Sequence, residues 1–215
     1  PPFSYTGWEN TLVTTGTKML EYMQNKATIE DVVKQLEDDQ ESVVNNKPEV
    51  ITTTTEVISQ ENCAKLIGRC FAQATDSDLA LVSLGTWISG NGLNQNNDCV
   101  STKMYAKDIT VDDLSAIIPT GWTRTIQTVS LTGKQIKDLY KEGYDAVGTG
   151  NNYPYVLVSP VELEDDKTYQ VAISGISEKL ASETEVTDSG VVGLDAAKEF
   201  FGQFETLSEA DAEWK

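Results

Sequence analysis

The sequence predicts an α+β fold: a mixed β-sheet with helices packed on it, preceded by a small N-terminal helical segment. Three stretches carry that prediction. Leu79-Ala-Leu-Val-Ser-Leu84 is a continuous apolar run of strand length, the pattern of a strand covered on both faces. Arg124 to Leu131 alternates, with Ile126, Thr128 and Ser130 on one face and Thr125, Gln127, Val129 and Leu131 on the other. That period of two, rich in β-branched residues, is a strand signal. Glu61 to Thr75 puts Cys63, Leu66, Ile67, Cys70, Phe71 and Ala74 on one stripe, the signature of a helix packed on a core.

The remaining elements follow in chain order. Residues 1–48 read as a helical leading segment or linker. Met19, Leu20, Tyr22 and Met23 suggest a short helix after a Thr15-Gly16 turn. Thr28 caps a second helix with Asp31 at its third position, and Ile29, Val32, Val33 and Leu36 form its apolar face. Glu30, Glu37, Asp38 and Asp39 make the opposite, solvated face, and Asn45, Asn46 and Pro48 break the pattern.

The main domain, 49–205, opens with a β-rich run from Val50 to Ile58. A Gly/Asn loop spans Ser89 to Ser101. Thr110 caps a short helix with Asp113, and Pro119 ends it because proline lacks an amide donor and restricts its neighbour. A Pro-Thr-Gly-Trp corner leads into the alternating strand, and Thr132 caps a helix with Ile136, Leu139 and Tyr140 on one face. Tyr155 to Ser159 and Thr168 to Ser174 are two further strands. Leu194 to Phe204 is a closing helix, and residues 206–215 read as a frayed acidic tail.

Composition narrows the function. The chain has 215 residues, no histidine and a net charge of −18. Without imidazole there is no Ser-His-Asp triad, no Cys-His pair and no ordinary histidine base. Two-metal phosphoesterase centres also draw on several histidines. The acidic balance opposes binding to nucleic acid or to an anionic membrane, and no apolar run spans a bilayer. Cys63, Cys70 and Cys99 make no disulfide framework and no CxxC spacing. Cys63 and Cys70 read as buried thiols, whereas Cys99 falls in the Asn-rich loop and is read there as reactive or free. Asn94, Asn96 and Asp98 offer calcium-type oxygens, but a single carboxylate leaves a plain loop as the better reading. No metal and no cofactor are expected. The Pro-Pro-Phe start suggests a fragment or a processed product.

From Val50 to Phe204 the order of blocks resembles the C-terminal domain of the 5'-nucleotidase and UDP-sugar hydrolase family. Glu61, Leu66 and Ile67, then Asp78, Ala80, Leu81 and Val82, match its helix and buried strand. The helix, proline corner, strand and Leu-Thr-Gly turn of Asp108 to Gly143 match the next block, and Thr168-Tyr-Gln-Val-Ala172 a late strand. The resemblance implies a substrate-binding-type domain that accompanies an N-terminal metallophosphatase domain in a secreted or cell-surface bacterial protein.

In that family arginines hold phosphate and two aromatic rings sandwich the base, since guanidinium grips anionic oxygens and rings stack a base. Most of that set is replaced here. Ile88 stands where the Asn-Gly-Gly-Gly-Ile-Arg motif ends, and Ile58, Ser59 and Gln60 stand where an arginine precedes Glu61. Pro119-Thr120-Gly121-Trp122 replaces Pro-Phe-Gly-Asn, and Ser174-Gly-Ile-Ser lacks the following Phe and glycine-rich loop.

Two readings remain. In one, Trp87, Trp122, Asn152 and Tyr153 form a rebuilt site for a nucleoside or sugar without phosphate. In the other, the tryptophans fill vacated space and the domain serves interaction or scaffolding. Neither reading makes this chain catalytic by itself.

Overall fold

The computed structural model describes residues 5–45, 49–85, 99–145 and 152–214. The chain divides into two compact units, Pro1–Glu49 and Val50–Lys215.

The first unit is a helical hairpin of α1 (Tyr5–Met23) and α2 (Ile29–Asn45). The expected Thr15-Gly16 turn is absent, because both residues lie inside α1. One interior glycine costs a helix only about 1 kcal/mol. Here the hydroxyls of Thr14 and Thr15 each donate to Asp39 of α2 at 2.6 Å and tie the two helices together. Thr28 and Asp31 make the reciprocal cap that the sequence predicts. Of the apolar face of α2, Val32 is buried, while Ile29, Val33 and Leu36 stay about half exposed.

The second unit contains β1 (Val50–Thr54), α3 (Gln60–Ala74), β2 (Leu79–Leu84), β3 (Cys99–Val100), β4 (Lys107–Thr110) and α4 (Val111–Ile117). It continues with β5 (Thr125–Thr132), α5 (Gly133–Glu142), β6 (Tyr144–Asp145), β7 (Asn152–Tyr153), β8 (Tyr155–Val158) and β9 (Thr168–Ser174). α6 (Glu178–Glu183), β10 (Val186–Val192), α7 (Gly193–Phe201), β11 (Thr206–Leu207) and a 3₁₀ turn, Glu209–Ala212, complete it. The main sheet runs β10-β5-β9-β2-β3, with β8 also paired to β2. It is mixed: β2 runs parallel to β9 and β3, while β5 lies antiparallel to β9 and β10. A smaller sheet, β11-β1-β4, lies beside it in the same unit.

The main sheet separates two apolar clusters. Ala80, Val82, Ile126, Val158 and Ala172 join residues of α3, α4 and α7 in one cluster. Leu79, Leu81, Val129, Leu131, Tyr169 and Val171 join residues of α5 and α6 in the other. Alternate residues of β2 therefore enter different cores, so its sequence is apolar throughout. The same placement explains β5, where Ile126 and Thr128 are buried on one side and Val129 and Leu131 on the other.

α3 fits between sheet and α7, with Leu66, Ile67 and Phe71 fully buried. Its backbone lies so close to the sheet that a Cβ on Gly68 would sit 2.6 Å from Val158 Cγ2. α4 starts at the Thr110–Asp113 capping box and stops before Pro119, with Ile118 in the extended conformation that a following proline requires. α5 starts at a second box, Thr132 with Gln135, and buries Ile136 and Leu139 but leaves Tyr140 exposed. In that turn Gly133 allows a close approach, since a Cβ there would meet the Glu164 carbonyl at 2.2 Å.

Two expectations are corrected in this unit. The acidic C-terminal segment is folded: β11 pairs in parallel with β1, Leu207 and Ala212 are buried, and Trp214 packs against the core. Its few apolar residues supply the anchoring that its charge pattern conceals. Cys99 belongs to β3 and is buried, where its Sγ accepts the Ser83 hydroxyl at 3.1 Å.

Candidate binding site

The Pro119 corner closes on itself. Arg124 Nη2 donates to the Pro119 carbonyl at 3.0 Å, and Gly193 N–H donates to the Arg124 carbonyl at 3.1 Å. The corner thereby becomes one wall of a cleft of about 320 Å³, within the size range of small-molecule sites. Thr120, Arg124, Gln127, Ser174 and Asp188 contribute its polar groups.

Sheet register brings them together. Gln127 of β5 lies opposite Asp188 of β10 on one side and Ile173 of β9 on the other. Cross-strand partners project to the same face, so Asp188, Gln127 and Ile173 form a row. The end of β9 is held from below: Ser174 Oγ accepts the Ser83 N–H at 3.1 Å, and the Tyr155 hydroxyl donates to the Gly175 carbonyl. The N–H of Gly190 and the hydroxyl of Thr125 hold the Asp188 carboxyl below its ordinary range. It is thus an ionised acceptor near neutral pH.

A second recess, about 440 Å³, lies at the N-terminus of α3 beside Ser59, Gln60, Lys103, Tyr105 and Glu209. The Gln60 amide donates to the carbonyls of Gly85 and Val100 at 2.6 and 2.7 Å. The helix end holds the chain's own carboxylate, for Glu209 accepts the Ser59 N–H at 2.8 Å.

The residues singled out in the sequence have different fates. Trp122 stands at the corner, 51% exposed, while Tyr153 is 1% exposed within the cluster under α5. Asn152 lies in β7 opposite Asp145. Trp87, Ile88 and the calcium-type trio Asn94, Asn96 and Asp98 lie outside the described residues. Sequence reasoning missed Asp188 and Gln127 as neighbours. The run Val186 to Val192 is one strand with a register shift after Asp188, but Asp188-Ser189-Gly190 gives it the composition of a loop. Among the described residues, no three His, Cys, Asp or Glu side chains cluster as a metal site would require.

No family model matches the sequence, and no curated protein matches it at a significant level. Solved structures do. The 5'-nucleotidase precursor from Thermus thermophilus superposes with a TM-score of 0.53 at 14% identity, over 82% of this chain and 41% of that one. The NAD nucleotidase of Haemophilus influenzae aligns with a TM-score of 0.48 at 10% identity, over 83% of this chain and 42% of that one. The chain thus spans about two fifths of the length of the structures it resembles. The second unit's mixed sheet with packed helices is the fold of the 5'-nucleotidase C-terminal domain.

Proposed function

We propose that this chain is the substrate-binding-type C-terminal part of a 5'-nucleotidase-like protein, non-catalytic by itself, with its nucleotide-binding motifs eroded. Its ligand is a nucleoside or sugar without phosphate, taken up around the Trp122 corner, with Trp87, Asn152 and Tyr153 as the further candidate residues. The parent chain carries an N-terminal metallophosphatase domain and works outside the cytoplasm. The fold, and its extent of 41% of the matched 5'-nucleotidase, support this reading. Among the described residues, no helix is long and apolar enough to cross a membrane.

One observation carries the loss of phosphate binding. Ser59, one of the residues standing where the resemblance expects an arginine, gives its N–H to Glu209. A phosphate arriving at that helix end would meet a carboxylate instead of a guanidinium, and like charges repel at short range. The burial of Tyr153 favours the second reading, an interaction or scaffold domain of a bacterial surface protein, because a core ring is closed to ligands.

The test is a hydrolysis assay on the purified chain with AMP, UDP-glucose and cyclic nucleotides, with and without divalent metal. No phosphate release is expected. Metal-dependent release that co-purifies with the chain would contradict the reading.

A further inference from the structure

We propose that the cleft where β5, β9 and β10 meet binds a small, neutral, polyhydroxylated molecule of monosaccharide size, with Asp188, Gln127 and Arg124 as its hydrogen-bonding wall. This deepens the reading above and rests on it only in that the ligand carries no phosphate.

Size comes first. A volume of about 320 Å³ corresponds to roughly ten waters at about 30 Å³ each, room for a monosaccharide, whose covalently bonded atoms pack more closely than separate waters. Charge comes second. Among the described residues the wall carries one cation, Arg124, and one anion, Asp188, so it rewards no net charge on the ligand. The chain's charge of −18 adds a long-range penalty against anions. Shape comes third. No aromatic ring lines the cleft among the described residues, so it offers a nucleobase nothing to stack on. Hydroxyl, amide, guanidinium and carboxylate groups instead supply both donors and acceptors, as a ring of hydroxyls demands.

The wall is also preorganised. Asp188 is oriented by the Gly190 N–H at 2.8 Å, and Arg124 is tethered to Pro119. Ser174 and Gly175 are fixed from beneath by Ser83 and Tyr155. Such support lowers the ordering cost of binding. Thr120, only 9% exposed, lines the same cleft, and its hydroxyl has no partner among the described residues. A buried hydroxyl without a partner is destabilising until a ligand or water supplies one.

The experiment is an amide NMR titration of the whole chain with the methyl glycosides of glucose, galactose and mannose, with adenosine and inorganic phosphate as comparators. At least one glycoside should give saturable shifts at Gln127, Ser174 and Gly190. Asp188→Asn and Gln127→Ala should each weaken it by about tenfold. Both side chains are at the surface, and asparagine keeps an oxygen to accept the Gly190 N–H, so circular dichroism should show the wild-type fold in both variants. Silence at these amides with every glycoside, wild-type affinity in both variants, or tighter binding of phosphate at the same amides would overturn the proposal. Shifts by adenosine near Trp122 with a silent cleft would overturn it too, while leaving the broader function standing.

Discussion

Glu209 Oε1 accepts the backbone N–H of Ser59 at 2.8 Å, a bond between residues 150 apart in sequence. A separate bond runs from the Glu209 N–H to Glu56 Oε1 at 3.0 Å. The C-terminal segment therefore caps α3 as a side chain within the helix would, satisfying an orphan donor at the helix's positive end.

A pH dependence follows from that cap. The Ser59 N–H, with the Asn62 and Ser59 side chains, lowers the Glu209 carboxyl below its ordinary value of 4.5. A depressed folded-state pKa means the contribution is fully present above the unfolded value and is lost as pH falls through the folded one. Chemical denaturation should therefore find Glu209→Gln less stable than wild type near neutrality. The gap should close as pH drops below 4.5. A gap independent of pH would show that the carboxylate charge plays no part.

Phe71 tests the core. Phe71 of α3 is 1% exposed, in the cluster that also holds residues of α7, so Phe71→Ala should cost about 3–5 kcal/mol in urea or guanidinium unfolding. A loss under about 1 kcal/mol would mean the ring contributes little burial and the helix face is assigned wrongly.

Gly68 tests the helix–sheet distance. A Cβ there would lie 2.6 Å from Val158 Cγ2 and 3.1 Å from Val82 Cγ2. Gly68→Ala should destabilise by about 1–3 kcal/mol through overpacking. Combined with Val158→Ala it should cost less than the sum of the single changes, because the second substitution removes the clashing methyl. Strict additivity in the double-mutant cycle would rule out the contact.

The thiols give a chemical test. Burial pushes Cys63 up to about 11 and Cys70 up to about 12, so neither is a thiolate near neutrality. Alkylation followed by mass spectrometry should label neither in the native protein and both after denaturation. Native labelling at the rate of an open thiol would contradict the packing of α3.

Much of the fold was legible in the residues, and the gaps have physical causes. β2 and β9 match their predicted bounds because strands covered on both faces have few polar interruptions. β10 was missed because an exposed edge strand containing Asp188, Ser189 and Gly190 looks like a loop. The C-terminal segment was misread because Leu207, Ala212 and Trp214 are sparse among acids, though they anchor it. Thr15-Gly16 looked like a turn because the bonds that hold α1 through it come from Asp39 on another helix. The candidate cleft was the least legible. Its row of Asp188, Gln127 and Ile173 exists only through cross-strand register, which spacing along one chain does not encode.

Whether this domain has exchanged phosphate recognition for recognition of neutral ligands is open to direct measurement. Calorimetric titration of matched pairs, glucose against glucose 1-phosphate and adenosine against AMP, makes that comparison. With no arginine in the run Ile58-Ser59-Gln60 or at Ile88, the chain should bind the unphosphorylated member of a pair at least about tenfold more tightly. Tighter binding of the phosphorylated member would contradict the exchange.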